Sequence, residues 1–134
     1  MAGRTRSCSD AFRLGRLKKA TEFLDTALLV AGQKPDTATN LFVLAGIAAA
    51  DVICCARLGR YAVGENHNEA AALLKQADPT VEKHLRTLLG VKTKAAYTHL
   101  TPTTDERKKA KRAAEALAEA ARRTWLPPAP PTTP

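Results

Sequence analysis

The chain has 134 residues, enough for one domain with a single core, and it carries a net charge of +8. Hydrophobic residues make up 45% of it but aromatic residues only 4%, so Ala, Leu and Val must fill the core. This composition favours closely packed helices over a β-sandwich, because apolar residues seldom recur at every second position. We predict an all-α fold, an up-and-down bundle of four to five helices.

The excess positive charge lies towards the two ends of the chain. Residues 1–20 contain six basic side chains and one acidic one, residues 105–123 contain seven and four, and residues 21–104 are neutral overall. A charge concentrated on the first and last helices favours a polyanionic partner, most simply RNA or DNA. The alternative is a basic surface that is only solvated.

The cysteines and the apolar segments bear on the compartment. There are three cysteines, Cys8, Cys54 and Cys55, and an odd number with two of them adjacent does not indicate a disulfide framework. We expect small, reduced core residues in a cytoplasmic protein. The basic start lacks a signal-type apolar stretch, and no apolar run reaches the roughly 20 residues of a membrane span, so we expect no membrane association.

The first two helices are predicted from caps and apolar spacing. Residues 1–8 are expected to form a disordered basic lead, and Ser9 can cap a helix over residues 10–31, which Gly32 ends. A second helix over residues 37–58 is apolar on almost every side and should be the buried centre. Because it has more apolar surface than a small bundle needs to bury, it also predicts a homodimer.

Two shorter helices follow the break at GRYAVGEN. The third is predicted over residues 66–77. Asp78 then indicates an N-cap with Pro79 at the first position of a fourth helix, which should end at Gly90. The segment VKTKAAYTHLTP after it is predicted to be a connection with room for one turn of helix.

A basic, alanine-rich fifth helix closes the predicted bundle. Thr103 and Glu106 have the spacing of a capping box, and the helix should continue to about Trp125. The helical domain is therefore predicted over residues 9–126. The tail, residues 127–134, is Pro-rich and cannot be helical.

The junction between the second and third helices gathers the side chains with the most chemistry. Within ARLGRYAVGENHNEAAALLKQ, Arg60 is followed by Glu65, Asn66 and His67. An imidazole can transfer a proton near neutral pH and a guanidinium can hold a phosphate, so His67 and Arg60 would suffice to cleave RNA by attack of the ribose 2′-OH, without a metal. Asn66 or Glu65 would orient the imidazole or that hydroxyl. The alternative is a helix-start histidine whose hydrogen bonds are satisfied locally.

Several further side chains are candidates for substrate contacts. Arg57 lies one helical turn before the junction arginine and could bind the same phosphate or stabilise the helix C-terminus. Lys92 and Lys94 could bind the RNA backbone and Tyr97 could stack on a base. The alternative is a solvated loop with a half-buried tyrosine. Asp51, on the buried helix, needs a partner such as an arginine and could line the same cleft. The sequence contains no phosphate-binding loop, zinc-ligand spacing or paired-carboxylate motif, so we expect no cofactor and no metal.

The pattern of the whole chain resembles the HEPN superfamily over residues 10–124. The resemblance rests on the helix order and on four segments: NLFVLAGIAAADVICCARLGR, GENHNEAAALLKQ, LRTLLGVKTKAAY and ERKKAKRAAEALAEAARR. The chain looks most like compact bacterial HEPN proteins with an Arg…His element after the long second helix.

This resemblance implies a homodimer whose two Arg/His pairs line one composite cleft, with Arg60 and His67 matching the motif residues. It implies a metal-independent endoribonuclease of toxin type, with RNA as substrate and an antitoxin or other protein as partner. Tyr61 stands where a polar residue usually lies beside the arginine, and Asn66 would supply that polar group. Other HEPN proteins are inactive, so the alternative is a non-catalytic dimerisation or adaptor module that binds a protein or a nucleic acid.

Overall fold

The computed structural model describes residues 4–64 and 66–125. Five helices make up most of this part of the chain, so the predicted all-α helical bundle is confirmed. The elements in chain order are β1 (Thr5–Ser7), α1 (Asp10–Val30), α2 (Pro35–Leu58), β2 (Arg60–Ala62), α3 (His67–Ala77), α4 (Glu82–Tyr97) and α5 (Thr104–Arg123). The predicted Pro-rich tail, residues 127–134, lies outside the described residues.

Helix α2 is the centre of the bundle, as predicted. The other four helices all contact it. Its buried residues include five alanines and Gly46, whose small size lets the neighbouring helices approach closely. The approach is tightest at Gly46, where an added methyl group would overlap Leu88 of α4 and press on Leu117 of α5.

Helix α4 is longer than predicted. It continues through Gly90, the expected stop, and ends at Tyr97. Leu85, Leu88 and Val91 recur every three residues on its buried face, and their burial offsets the roughly 0.5–1 kcal/mol that a helical glycine costs. Most of the segment predicted to be a connection is therefore helical.

The helix starts are confirmed where a side chain caps the helix. Ser9 accepts a backbone hydrogen bond at the start of α1, and Thr103 and Glu106 form a reciprocal capping box at the start of α5. The prediction that Asp78 caps α4 is wrong, because Asp78 ends α3 and Val81 stands at the cap position of α4. The Asp78 carboxylate accepts two hydrogen bonds from the residue two positions on, which forms a turn and places Pro79 before α4.

The start of the chain and the cysteines differ from the prediction. Residues 1–8 were expected to be disordered, but they contain β1, which pairs antiparallel with β2. Cys8, directly after β1, is bonded to Cys55 of α2 with a Cα–Cα distance of 5.7 Å. The prediction of three reduced cysteines is therefore wrong: two are paired, and Cys54 alone is free and buried. Since disulfides persist mainly in oxidising compartments, the cysteines no longer favour a cytoplasmic location.

Helix α2 is long and apolar enough, by length and composition alone, to cross a membrane. The expectation that no apolar run is long enough to span a membrane is therefore wrong for α2. Within the bundle, 61% of its apolar window is buried, as is usual for the core helix of a soluble protein. One such helix, mostly buried, is weak support for a membrane span.

The large apolar side chains that are exposed in the described residues lie outside α2. In the described part of the chain they are Leu14, Leu28, Leu29, Tyr97, Leu100 and Trp125, and none of them belongs to α2. The surface of α2 therefore gives weaker support for a dimer than predicted, because its large apolar side chains are buried or half-buried within the chain. The dimer stays a prediction that needs other support.

Candidate functional site

Two glycines and one asparagine shape the α2–α3 junction. Gly59 adopts a left-handed conformation with φ 71°, and its N–H donates to a carbonyl of the last turn of α2. Arg60 begins β2, and the chain turns again at Gly64, with φ 104°. Asn66 then caps α3 by accepting a backbone hydrogen bond of 3.0 Å, so that His67 is the first residue of that helix. The predicted pair therefore lies at one end of the bundle.

Arg60 lines a cleft between the two strands and α3, which we call the arginine cleft. Its volume is about 260 Å³ and its polar lining includes Arg4, Asn68, Glu69 and Gln76. Arg60 donates from Nη2 to Gln76 Oε1 at 3.3 Å. Two guanidinium groups against one carboxylate give this lining an excess of positive charge.

His67 lines a second site of about 200 Å³ between α2, α3 and α4, which we call the histidine cavity. Its walls are mostly apolar and are formed by Ile47, Ala50, Ala62, Ala70, Leu85 and Leu89. Polar groups enter it from Asp51, Asn66 and Lys92, and Cys54 lies at its buried floor.

Arg60 and His67 do not share a cavity within one chain. Arg60 lines the arginine cleft and not the histidine cavity, His67 lines the cavity and not the cleft, and Ala62 and Asn66 line both. The two sites are therefore neighbours with a common wall. Glu65, the other residue predicted at this junction, lies outside the described residues.

Two ionisable groups lie deep beside the histidine cavity. Asp51 Oδ2 accepts a hydrogen bond of 2.9 Å from Arg16 Nε, which confirms the predicted arginine partner. Burial raises the pKa of Asp51 to about 6 although Arg16 opposes the rise. Burial, and to a smaller extent the charge of Asp51, raises the pKa of Cys54 to about 12. The charge of Arg60 partly offsets this rise. The thiol is thus protonated at neutral pH, and the charge of Arg60 acts across the common wall.

The other predicted contact residues are scattered. Lys92 lines the histidine cavity. Lys94 pairs with Glu106 at 2.8 Å and so links α4 to α5. Arg57 is exposed in the last turn of α2, and Tyr97 is 75% exposed at the end of α4. Neither Arg57 nor Tyr97 lines the arginine cleft or the histidine cavity.

Sequence reasoning missed Arg4 and Gln76. Arg4 reaches the cleft because β1 pairs with β2, and its carbonyl accepts from the N–H of Val63 at 2.9 Å. Gln76 shares one face of α3 with Asn68 and Ala72, at intervals of four residues. That spacing is a sequence signal that could have found Gln76, whereas nothing in the sequence pointed to Arg4.

In residues 4–64 and 66–125, no three side chains of the types that bind metals come together. The chain matches no family model, no curated protein and no solved structure. The resemblance to the HEPN superfamily therefore rests on its sequence segments and stays a prediction.

Proposed function

We propose that the chain is an RNA-binding protein of the HEPN type that acts as a homodimeric, metal-independent endoribonuclease of toxin type. The observation that carries the proposal is the α2–α3 junction, where Arg60 and His67 line neighbouring sites with a common wall. A phosphate and its adjoining nucleoside can span two such sites.

The arginine cleft supports the binding of a phosphate. Guanidinium groups donate two parallel hydrogen bonds to phosphate oxygens, and both Arg60 and Arg4 line this cleft. The contact of Arg60 within the cleft is the neutral amide of Gln76, which a phosphate can replace without loss of an ion pair. Glu69 opposes an anion there, so binding depends on the two arginines together.

His67 supplies the proton transfer in this proposal. The 2′-oxygen forms a bond to phosphorus while its proton passes to the imidazole of His67, and the bond from phosphorus to the 5′-oxygen breaks. The leaving 5′-oxygen takes a proton from water, so that each site needs one Arg60 and one His67. The products are a 2′,3′-cyclic phosphate and a 5′-hydroxyl, and Arg60 stabilises the negative charge that develops on the phosphate oxygens.

Arg60 and His67 are separated within one chain, and a second copy would bring them together. A single chain presents Arg60 and His67 in different cavities, so a phosphate held in one is not held in the other. Two copies that face each other at this junction would place the arginine cleft of one against the histidine cavity of the other. A two-fold axis then creates two composite sites.

Mixing two inactive variants tests this arrangement. Arg60→Ala and His67→Ala should each lower the rate of cleavage of a single-stranded RNA in EDTA by about 10²-fold or more. An equal mixture should recover about a quarter of the wild-type rate, because half of randomly formed dimers contain one intact site of two. A mixture of either variant with the double variant is the matched control and should recover nothing. Wild-type chains that fail to cleave RNA would refute the enzymatic proposal.

The alternative is a non-catalytic adaptor, and exposed apolar residues far from the junction favour it. They lie at the ends of α1 and α4, namely Leu28, Leu29, Tyr97 and Leu100. Thr101 donates to Asp36 at 3.4 Å, so the end of α4 lies beside the start of α2. Wild-type chains that bind RNA and dimerise but leave the RNA intact would support the adaptor.

A further inference from the structure

We propose that the histidine cavity binds a guanine base of the RNA, next to the phosphate that Arg60 holds. This inference rests on the proposed function and gives the cavity the task of selecting the nucleotide at the cleavage point. Three observations carry it: the apolar walls of the cavity, the polar groups that enter it, and its common wall with the arginine cleft.

The cavity has the lining that a flat base requires. Three helices contribute to it, and its floor is buried, since Cys54 is 3% and Leu85 2% exposed. Ile47 and Ala70 contribute apolar surface from α2 and α3. Apolar walls stabilise the faces of a base by packing and leave recognition to the hydrogen bonds at its edge.

The polar groups of the cavity match the hydrogen-bonding edge of guanine. Asp51 Oδ2 is occupied by Arg16, and within the described residues no group donates to Oδ1. Lys92 brings an ammonium donor, and Asn66 can donate from its amide nitrogen because only its oxygen serves the helix cap. Guanine presents two adjacent N–H donors beside a carbonyl acceptor, which suits a carboxylate with an ammonium nearby.

The other bases complement this arrangement less well. Adenine and cytosine offer an amino group, but the ring nitrogen beside it is an acceptor that Asp51 would repel. Uracil has a single N–H between two carbonyls, so at least one carbonyl would face the carboxylate. Such a mismatch leaves a polar group unpaired when the base is buried and costs affinity.

Calorimetric titration with the four nucleoside monophosphates tests the assignment without requiring cleavage. We expect GMP to bind at least about tenfold more tightly than AMP, CMP or UMP. Lys92→Met should remove most of this preference. Lys94→Met, the matched control, loses the same charge two residues away, where the ammonium pairs with Glu106, and should keep the preference. Equal affinity of the wild-type chain for all four nucleotides would overturn the proposal.

Two alanines of α3 allow the cavity and the cleft to be blocked separately. Ala70 lines the histidine cavity, whereas Ala72 lines the arginine cleft. Ala70→Leu should abolish the preference for GMP and leave the affinity for inorganic phosphate unchanged. Ala72→Leu should weaken inorganic phosphate and all four nucleotides alike. A preference for GMP that survives in Ala70→Leu, at an unchanged melting temperature, would place the base elsewhere and refute the proposal.

The inference and the proposed function fail in different ways. Cleavage of RNA without a preference for GMP would remove the base site and leave the nuclease. Selective binding of GMP without cleavage would confirm the base site and remove the nuclease.

Discussion

The arginine cleft and the histidine cavity share a wall at one end of the bundle, yet different kinds of contact hold them together. The cleft is bounded by β1 and β2, two strands of three residues each, and one disulfide ties the end of β1 to α2. The cavity lies between α2, α3 and α4, and core side chains form its floor. The cleft therefore depends on a few contacts at the start of the chain, and the cavity depends on the packing of the bundle.

The two sites also differ in how they hold charge. The guanidinium of Arg60 is partly exposed and hydrogen-bonds to a neutral amide, so it can bind a phosphate without first losing an ion pair. Asp51 and Cys54 are deep enough that burial favours their uncharged forms. This contrast suits the cleft to binding a charged group and the cavity to selecting a neutral one. The disulfide beside the cleft predicts that the stability of the chain depends on redox state. The buried Asp51 beside the cavity predicts that it also depends on pH.

The largest expected effect comes from the two junction residues. His67→Ala should lower the cleavage rate about 10²–10⁴-fold and leave RNA affinity largely intact, because the imidazole acts in proton transfer. Arg60→Ala should lower both, because the guanidinium holds the phosphate before and during the reaction. Single-turnover cleavage and filter binding measure the two quantities. Robust cleavage by His67→Ala would exclude it as the catalytic residue.

Reduction of the disulfide beside the cleft should lower the stability of the chain. The bond between Cys8 and Cys55 closes a loop with a sequence separation of 47, and its loss should lower the free energy of unfolding by about 2–4 kcal/mol. Urea unfolding of the wild-type chain with and without a reductant measures this difference. Cys8→Ser should match the reduced wild type and show no further response. Unfolding that is insensitive to reductant in both chains would contradict the pairing.

The stability of the cavity should depend on pH through Asp51. Its folded-state pKa of about 6 lies above the ordinary value of 3.8, so the folded chain holds the proton more tightly than the unfolded chain does. Stability is therefore lost as the pH rises between these two values, by about 3 kcal/mol at neutral pH. Asp51→Asn cannot ionise and should gain stability relative to the wild type by up to this amount between pH 4 and pH 8.

A second variant checks the cause of that dependence. Arg16 opposes the rise in the pKa of Asp51, so Arg16→Gln should extend the loss of stability to higher pH and make the total loss larger. Thermal unfolding across the same pH range compares the three chains. A constant difference between wild type and Asp51→Asn at every pH would show that Asp51 is solvated and not buried.

The smallest expected effect comes from the basic face of α5, which lies outside both sites. Replacing its exposed cations Lys108, Lys109, Lys111 and Arg112 with Gln should weaken RNA binding and lower the slope of log affinity against log salt by up to about 3. Cleavage at saturating RNA should not change, since no junction residue is altered. An unchanged salt slope would show that this face only contacts solvent.

The positions of the helices were largely determined by local features of the sequence. Ser9 and the pair Thr103 and Glu106 cap the helices that their spacing predicted, because a cap is formed within a few residues of chain. The apolar character of α2 predicted its central place for a similar reason: a helix without a polar face must be surrounded. The junction was also found from the sequence, since Arg60, Asn66 and His67 lie close together along the chain.

The partners of those residues were decided only by the tertiary structure. Arg4, which precedes α1 in the chain, lines the arginine cleft. Cys8 is bonded to Cys55, 47 positions away, and Arg16 pairs with Asp51, 35 positions away. Such contacts depend on how α1 packs against α2, which no local pattern encodes. The continuation of α4 through Gly90 has a similar origin, because burial of Leu88 and Val91 outweighs the local cost of a glycine. The sequence by itself thus determined which residues form helices and where the reactive ones cluster, since both are properties of short segments. The folded bundle decided which cavity each of them faces, since that depends on the distance between segments far apart in the chain.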